Sequence, residues 1–207
     1  MKKILLWAIL CGFAIPGAMA QTGFGLKAGV NMAKMTIEVE KGVKTPSHVT
    51  YFVTAFADLP LVDQFSIQPG LSLQGKGAKA SIKEGENEAS VRTNLMAIEI
   101  PVNAVYYIPA GSGELFIGAG PYIGYNISGK YKETVNGKSA EEKIKFSGKD
   151  KNMKPLDFGI NAMIGYKLFS GLLINAGYGL GLADLNVDKE EKALSNRVFS
   201  IGVGFQF

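Results

Sequence analysis

His48 is the only histidine in the chain and the only residue that could supply imidazole chemistry. A serine hydrolase or acyltransferase would need this group beside a nucleophilic hydroxyl, which Ser47 or a serine brought close by folding could provide. However, His48 stands where a long polar segment meets an apolar one, and a solvated histidine at the end of a loop explains that position without a reaction. One histidine also supplies too few ligands for an ordinary zinc site. We therefore expect no enzyme activity, no metal and no cofactor.

Four charged residues stand inside segments that are otherwise apolar or small: Lys27, Glu99, Asp157 and Lys167. In each segment, the charge occupies the alternate position to the large apolar residues. Two cations and two carboxylates in an interior can neutralise one another, whereas unpaired buried charges are costly. We predict that these four residues form a polar network inside the fold, with an ion path as the alternative.

The first 20 residues have the organisation of a secretory signal peptide. A basic start precedes an apolar stretch over 4–15, and small residues at 18–20 form a cleavage site after Ala20. The apolar stretch is too short to span a membrane as a helix. Residues 21–207 then form one mature domain, whose formal charge falls from +4 to +2 without the lysines at positions 2 and 3. So small an excess argues against a nucleic-acid partner.

Apolar residues alternate with polar or small ones along eight segments of the mature chain, which is the period of β-strands. The C-terminal segment is the clearest, with apolar side chains at Phe199, Ile201, Val203, Phe205 and Phe207. This terminal pattern resembles the signal read by the barrel-assembly machinery, so we predict that it directs assembly. The segments cover roughly 23–34, 48–59, 64–76, 93–108, 115–128, 156–168, 172–183 and 199–207.

Short and long connections between these segments strictly alternate. The short ones lie near 60–63, 110–113 and 170–171, and the long, charged ones near 35–47, 77–92, 129–154 and 184–195. Outer-membrane barrels have this asymmetry, with tight periplasmic turns and longer extracellular loops. An even number of strands would leave both termini on the periplasmic side.

The alternate positions that the charged residues occupy along the strands show whether lipid or water surrounds such a barrel. A soluble barrel turns its apolar residues inward. Here Lys27 and Glu99 share their phase with glycine, serine and asparagine, and a lysine facing the lipid midplane would cost roughly 2 to 4 kcal/mol. We therefore predict an all-β fold: a transmembrane antiparallel up-and-down β-barrel of eight strands in the outer membrane, after a cleaved signal peptide.

Two stretches carry a family resemblance. The sequence IQPGLSLQGKGAK over 67–79 and the sequence IEIPV over 98–102 resemble the PorT-like outer-membrane barrels of Bacteroidetes, and FGLKAGVN over 24–31 fits the opening strand of that family. Gly70 stands where the family often has glutamate, and no basic residue directly follows Val102. The resemblance implies an outer-membrane barrel and, from one member, an accessory role in a secretion and gliding system.

The long connection over 129–154 contains eight lysines and four carboxylates, a formal charge of +4. It could meet lipopolysaccharide phosphates or an acidic glycan, or be solvated without a partner. We expect a non-enzymatic barrel that displays charged loops, in an envelope-structural, adhesion or secretion-accessory role. Its partners would be outer-membrane lipid and lipopolysaccharide, the barrel-assembly machinery, and surface or secretion-complex proteins. A narrow pore or transporter for small solutes is the alternative, and a lipid-modifying outer-membrane enzyme the third hypothesis.

Overall fold

The computed structural model describes residues 22–36, 44–84, 87–188 and 193–207, without the side chains of 83–84 and 87–88. The predicted signal peptide and its cleavage site after Ala20 lie outside these residues. The described residues form nine strands: β1 Gly23–Met35, β2 His48–Val62, β3 Phe65–Glu84, β4 Asn87–Ala110, β5 Gly113–Val135, β6 Lys138–Lys143, β7 Leu156–Leu168, β8 Leu172–Gly181 and β9 Asn196–Gln206. Among the same residues, no helix is long and apolar enough to cross a membrane.

Eight of these strands close into a barrel. Each pairs antiparallel with its neighbours in the order β1, β2, β3, β4, β5, β7, β8, β9. The ring closes between β9 and β1, from Gly25 opposite Gln206 to Met35 opposite Asn196. The short strand β6 adds to the outer part of β5 and is not a member of the ring. The predicted up-and-down barrel of eight strands is therefore confirmed.

The two ends of the barrel differ. One end, the turn end, has the tight connections at 63–64, 111–112 and 169–171, together with the start of β1 and the end of β9. Gln64, Gly111 and Gly171 adopt positive φ angles of 64°, 60° and 95° there, as the turns of β-hairpins commonly do. The opposite end, the loop end, has the longer connections.

Strands β3, β4 and β5 are longer than the sequence predicted. The ladder between β3 and β4 continues from Ala78 opposite Thr93 as far as their final residues, so the predicted loop over 77–92 is mostly strand. The predicted loop over 129–154 likewise begins as a β5–β6 hairpin, whose turn residues Asn136 and Gly137 have φ angles of 47° and 81°. Both angles are positive, as a two-residue hairpin turn of type I′ requires. These predictions were wrong because strand pairing continues beyond the end of the apolar alternation.

The extended parts of β3, β4 and β5 form, with β6, a sheet that continues past the neighbouring barrel strands. Pairing between β2 and β3 reaches only to Phe52 opposite Gln74, and pairing between β5 and β7 only to Tyr125 opposite Leu156. We call the part beyond these points the projecting sheet; it comprises 77–84, 87–94, 130–135 and 138–143.

Burial in the barrel follows the predicted phase. In β4, Ile98 and Ile100 are 43% and 52% exposed, whereas Glu99 and Asn103 are 3% and 6% exposed. Apolar side chains therefore face outward and polar ones inward. This is the opposite of a soluble barrel and fits a lipid surrounding.

Candidate functional site

Three charged side chains meet in the lumen near the loop end, and we call them the ion cluster. Lys76 from β3 forms ion pairs with Glu99 from β4 and, at 2.8 Å, with Asp157 from β7. The side chains of Lys76, Glu99 and Asp157 are only 4%, 4% and 0% exposed. The Lys76 ammonium lies 4.5 Å from the centre of the Tyr122 ring, and Asn196 donates a hydrogen bond of 2.8 Å to Asp157. One cation thus bridges two carboxylates in a space largely closed to water, where charges need partners.

The ion cluster contains two of the four residues predicted from the sequence to form a network. Glu99 and Asp157 meet there, but their cation is Lys76, which was not among the four predicted residues. Lys76 ends the predicted third segment in the same phase as Ser72 and Gln74. The alternation that places Ser72 and Gln74 inside the barrel therefore also predicts that Lys76, two residues further on, faces the lumen.

Lys27 and Lys167 also face the lumen but make their contacts nearer the turn end. The Lys27 ammonium lies 5.2 Å from the centre of the Phe56 ring and 3.7 Å from the sulfur of Met163. Lys167 pairs with Glu114 at 3.2 Å. The four predicted residues therefore belong to three separate groups, which corrects the single network expected from the sequence.

A polar layer closes the turn end. Gln68 donates hydrogen bonds to Asp58 at 3.0 Å and to the hydroxyl of Tyr107 at 2.7 Å. Gln206 donates to the other oxygen of Asp58 at 3.2 Å and accepts from Lys167 at 3.4 Å. Next to this layer, inside the barrel, lies a buried apolar cluster of Phe56, Val105, Tyr107, Phe116 and Leu173. Side chains from opposite walls therefore fill this part of the lumen.

A second apolar cluster, the apolar plug, occupies the loop end. It consists of Met35, Ala78, Leu95, Ile144, Met153, Ala183 and Leu185. Met153 and Leu185 come from connecting segments rather than strands, yet they are only 1% and 0% exposed. The backbone N–H of Lys154 donates to the carbonyl of Leu185 at 2.9 Å, which ties these two segments together.

Asp184 fixes the second of these segments. Its carboxylate accepts the backbone N–H groups of Leu194 and Asn186, each at 3.0 Å, and the Lys154 ammonium at 3.2 Å. These hydrogen bonds, the one from Leu194 foremost, hold the pKa of Asp184 below its usual value. Asp184 therefore stabilises the loop conformation that carries Leu185 into the apolar plug.

Between the two ends, a cavity of about 80 Å³ remains in the lumen. It is lined by Lys27, Asn31, Gln74, Asn103 and Asn175, among others. The side-chain oxygens of Asn31, Asn103 and Asn175 are buried and accept no hydrogen bond from the described residues. Such a space suits a few waters that bridge these oxygens.

His48 lies at the start of β2 and is only 7% exposed. Asn94 shares a hydrogen bond with its side chain, and the cations of Arg92 and Lys79 lie nearby. Ser47, the predicted candidate nucleophile, is exposed. The His48 side chain thus has an amide and two cations nearby, and its Nε2 is buried without a hydrogen-bond partner among the described residues.

The predicted assembly-signal residues lie on the outer face of β9. Phe199, Ile201, Val203 and Phe205 are each 39% exposed or more, and Phe207 is 76% exposed. The backbone N–H of Phe207 donates to the carbonyl of Phe24 at 2.7 Å, so the C-terminus is paired to the first strand. Their role in assembly stays a prediction.

Comparison with known protein families agrees with this architecture. Residues 19–187 match the outer membrane protein beta-barrel domain. No curated protein sequence matches significantly. Among solved structures, the chain is similar to Neisserial surface protein A (13% identity, TM-score 0.46, covering 89% of this chain and 97% of that one) and to OprG from Pseudomonas aeruginosa (12%, 0.47, 89% and 95%). It is also similar to Ail of Yersinia pestis (11%, 0.43, 90% and 99%).

Proposed function

The chain belongs to the outer membrane protein beta-barrel domain family, and from this we propose that it is a non-enzymatic, closed barrel that presents its loop end at the cell surface. Its role would be envelope-structural, adhesive or accessory to secretion. In this arrangement, the turn end and both termini lie in the periplasm. The short turns at one end and the long connections at the other support this orientation, since outer-membrane barrels keep their tight turns in the periplasm.

The observation that carries this proposal is the filling of the lumen. Along the barrel axis, the apolar plug, the ion cluster, the buried cluster around Phe116 and the polar layer of Gln68 succeed one another. An eight-stranded barrel has an interior just wide enough for side chains, whereas barrels with 16 or more strands enclose aqueous channels. The filled lumen therefore favours a protein that acts through its surfaces.

Reconstitution in planar lipid bilayers tests this proposal. We expect no steady conductance from the mature protein, and negligible swelling of proteoliposomes in small sugars. Heat-modifiable migration on a gel and protection of the strands from protease would establish that the barrel is folded and inserted. A reproducible channel of nanosiemens scale from inserted protein would refute the closed barrel. It would support the alternative, a narrow pore, for which the central cavity and the partly accessible Lys27 are the favouring observations.

The proposal excludes lipid-modifying activity, and the surroundings of His48 support this exclusion. A histidine that activates a hydroxyl needs that hydroxyl within hydrogen-bond reach and a partner that favours its protonated form. Asn94, Arg92 and Lys79 supply an amide and two positive charges instead. We expect His48→Ala to leave the lipid A profile unchanged by mass spectrometry. A changed profile would revive the enzyme hypothesis.

We further propose that the chain belongs to the PorT-like members of the family and acts beside other envelope proteins. The support is the sequence over 67–79 and 98–102, which the structure places side by side on β3 and β4. Copurification from native membranes at low detergent tests the accessory role. A stable complex with secretion or surface proteins is the expected result, and recovery of the barrel alone would contradict it.

A further inference from the structure

The projecting sheet has two chemically different faces. One face packs on the apolar plug, because Ala78 belongs to it and Tyr131 packs against it. Strand residues alternate between faces, so the neighbours of Ala78 and Tyr131 along each strand lie on the opposite face. Strand register places two rows there: Lys79, Arg92, Lys132 and Glu141 in one row, and Gly77, Asn94, Lys130 and Lys143 in the next.

Positive charge dominates these two rows, which we call the basic face. Five cations accompany one carboxylate, that of Glu141. Glu141 lies 3.4 Å from the Lys132 ammonium and 3.5 Å from that of Lys130, and these lysines lower the pKa of the Glu141 carboxyl. The Nε of Arg92 is buried and has no hydrogen-bond partner among the described residues. The basic face therefore has more donors than the protein's own acceptors use.

The basic face continues the lipid-facing surface of the barrel. Ile98 lies on β4 four residues closer to the turn end than Asn94, and it pairs with Tyr125. The side chains of Ile98 and Tyr125 are 43% and 52% exposed. Four residues of strand span about 13 Å, and strand tilt shortens this distance along the membrane normal. The lower row of the basic face thus lies at the height where apolar chains give way to headgroups. Lysine side chains can bend toward that level while their stems cover apolar surface.

From this placement, we propose that the basic face binds the phosphate groups of lipid A, the part of lipopolysaccharide that lies in the outer leaflet of the membrane. Lys130, Lys132 and Lys143 are the exposed or half-exposed contributors, and Arg92 adds a half-buried planar donor group between Lys79 and Lys132. Cations beside an anionic membrane surface contribute to binding additively. This inference rests on the orientation in the proposed function, with the loop end at the cell surface.

The structure sharpens the sequence expectation for the long charged connection. The eight lysines of 129–154 do not act as one mobile group, since Lys138 lies on the other face of the projecting sheet. Lys149 and Lys151 are exposed in the segment that leads to Met153 of the apolar plug. Only three of the eight lysines belong to the basic face.

The lysines on the basic face and the lysines outside it allow two triple variants that remove the same number of positive charges. The first variant combines Lys130→Gln, Lys132→Gln and Lys143→Gln, and its control combines Lys138→Gln, Lys149→Gln and Lys151→Gln. Binding of lipopolysaccharide and of its dephosphorylated form to the mature protein in neutral detergent would be measured by native mass spectrometry. Far-UV circular dichroism and heat-modifiable migration would show that every variant is folded.

We expect the first variant to bind lipopolysaccharide at least about tenfold more weakly, as three surface cation contacts of ordinary strength are lost. The control should bind like the wild type, and the dephosphorylated lipid should bind weakly to all. Glu141→Gln releases Lys130 and Lys132 from their carboxylate, so it should strengthen binding at least about twofold.

Equal loss in both triple variants, or equal binding of the dephosphorylated lipid, would refute a phosphate site on this face. Equal binding of inorganic phosphate at matched concentration would show that the lipid anchor is not recognised, which would also refute it. The measurement in detergent depends neither on conductance nor on orientation. Failure here therefore leaves the closed barrel standing, and a conducting barrel leaves the basic face standing.

Discussion

Replacing Lys76 with methionine should be the most damaging single change in the lumen. Methionine fills a similar volume but supplies no charge, so Glu99 and Asp157 would remain buried without their shared cation. Removing one partner of a buried ion pair typically costs about 3 to 5 kcal/mol. Asp157 would still accept a hydrogen bond from Asn196 at 2.8 Å, whereas the ion pair described for Glu99 is with Lys76. Most of the loss should therefore come from Glu99.

This partition can be tested by a double-mutant cycle. Lys76→Met should lower the free energy of unfolding by about 3 to 5 kcal/mol. The double variant with Glu99→Gln should be clearly more stable than Lys76→Met alone, because it removes the unpaired charge. Lys79→Met, three residues further along the same strand on the basic face, is the matched control and should change stability by about 0.5 kcal/mol or less.

Urea titration of the protein refolded into lipid vesicles supplies the measurement. The only tryptophan, Trp7, precedes the predicted cleavage site, so far-UV circular dichroism and gel mobility would follow unfolding. If Lys76→Met costs less than about 1 kcal/mol, or if adding Glu99→Gln restores nothing, the buried-charge reasoning is wrong.

Three further predictions concern the strands and loops. Gly77→Ala should destabilise the projecting sheet by more than about 1 kcal/mol. The reason is that φ at Gly77 is +133° and an added Cβ would overlap the carbonyl oxygen of Thr93. Gly137 has a φ of +81° but open space around it, so Gly137→Ala is the milder control in the same urea titration. The depressed pKa of Asp184 means that its stabilisation of the apolar plug is complete above the unfolded pKa of about 3.9 and is lost as pH falls through the lower folded pKa. Protection factors of the backbone amides in 183–188, which correct each exchange rate for the intrinsic rate at the same pH, should therefore fall at acid pH in the wild type. They should already be low at neutral pH in Asp184→Asn, and wild-type protection factors that are equal at acid and neutral pH would contradict this. Deleting Phe207 should impair assembly, and normal heat-modifiable migration of the truncated protein in cells would count against it.

The barrel could be predicted because its strands face two solvents. Alternation at Ile98, Glu99 and Ile100 shows from the sequence alone which side chains face lipid, and the structure confirms the assignment. The strand ends were predicted less well for a related reason. From Gly77 to Ser81 both faces of β3 are small or polar, so pairing continues while the alternation fades.

The filling of the lumen could not be predicted from strand period. Met153 and Leu185 are buried because two connecting segments cross the loop end and meet, and neither segment has a periodic pattern that would indicate burial. The partner of Glu99 and Asp157 was missed for another reason. Lys76 and the four predicted residues all lie on predicted strands, but the height of each charge along the barrel axis depends on strand stagger. That stagger brings Lys76, and not Lys27, level with the two carboxylates.

The projecting sheet connects these observations, because one alternation serves two purposes along the same strands. In the barrel, alternate residues of β4 and β5 face lipid and lumen. Above it, the phases of β4 continue, with Leu95 inward at the apolar plug and Arg92 outward. On β5, the lumen residues below are Tyr122, Gly124 and Asn126. One extra residue opposite Met96 and Ala97 then places Tyr131 inward and Lys130 and Lys132 outward. A shift by one residue would turn the lysines into the plug and the apolar residues toward the headgroups. The bulge between β4 and β5 beside Met96 and Ala97 lies where the two regions meet, and it keeps the inward phase of the barrel aligned with the inward phase above it. Closure of the lumen and a basic surface at headgroup height are therefore consequences of the same register.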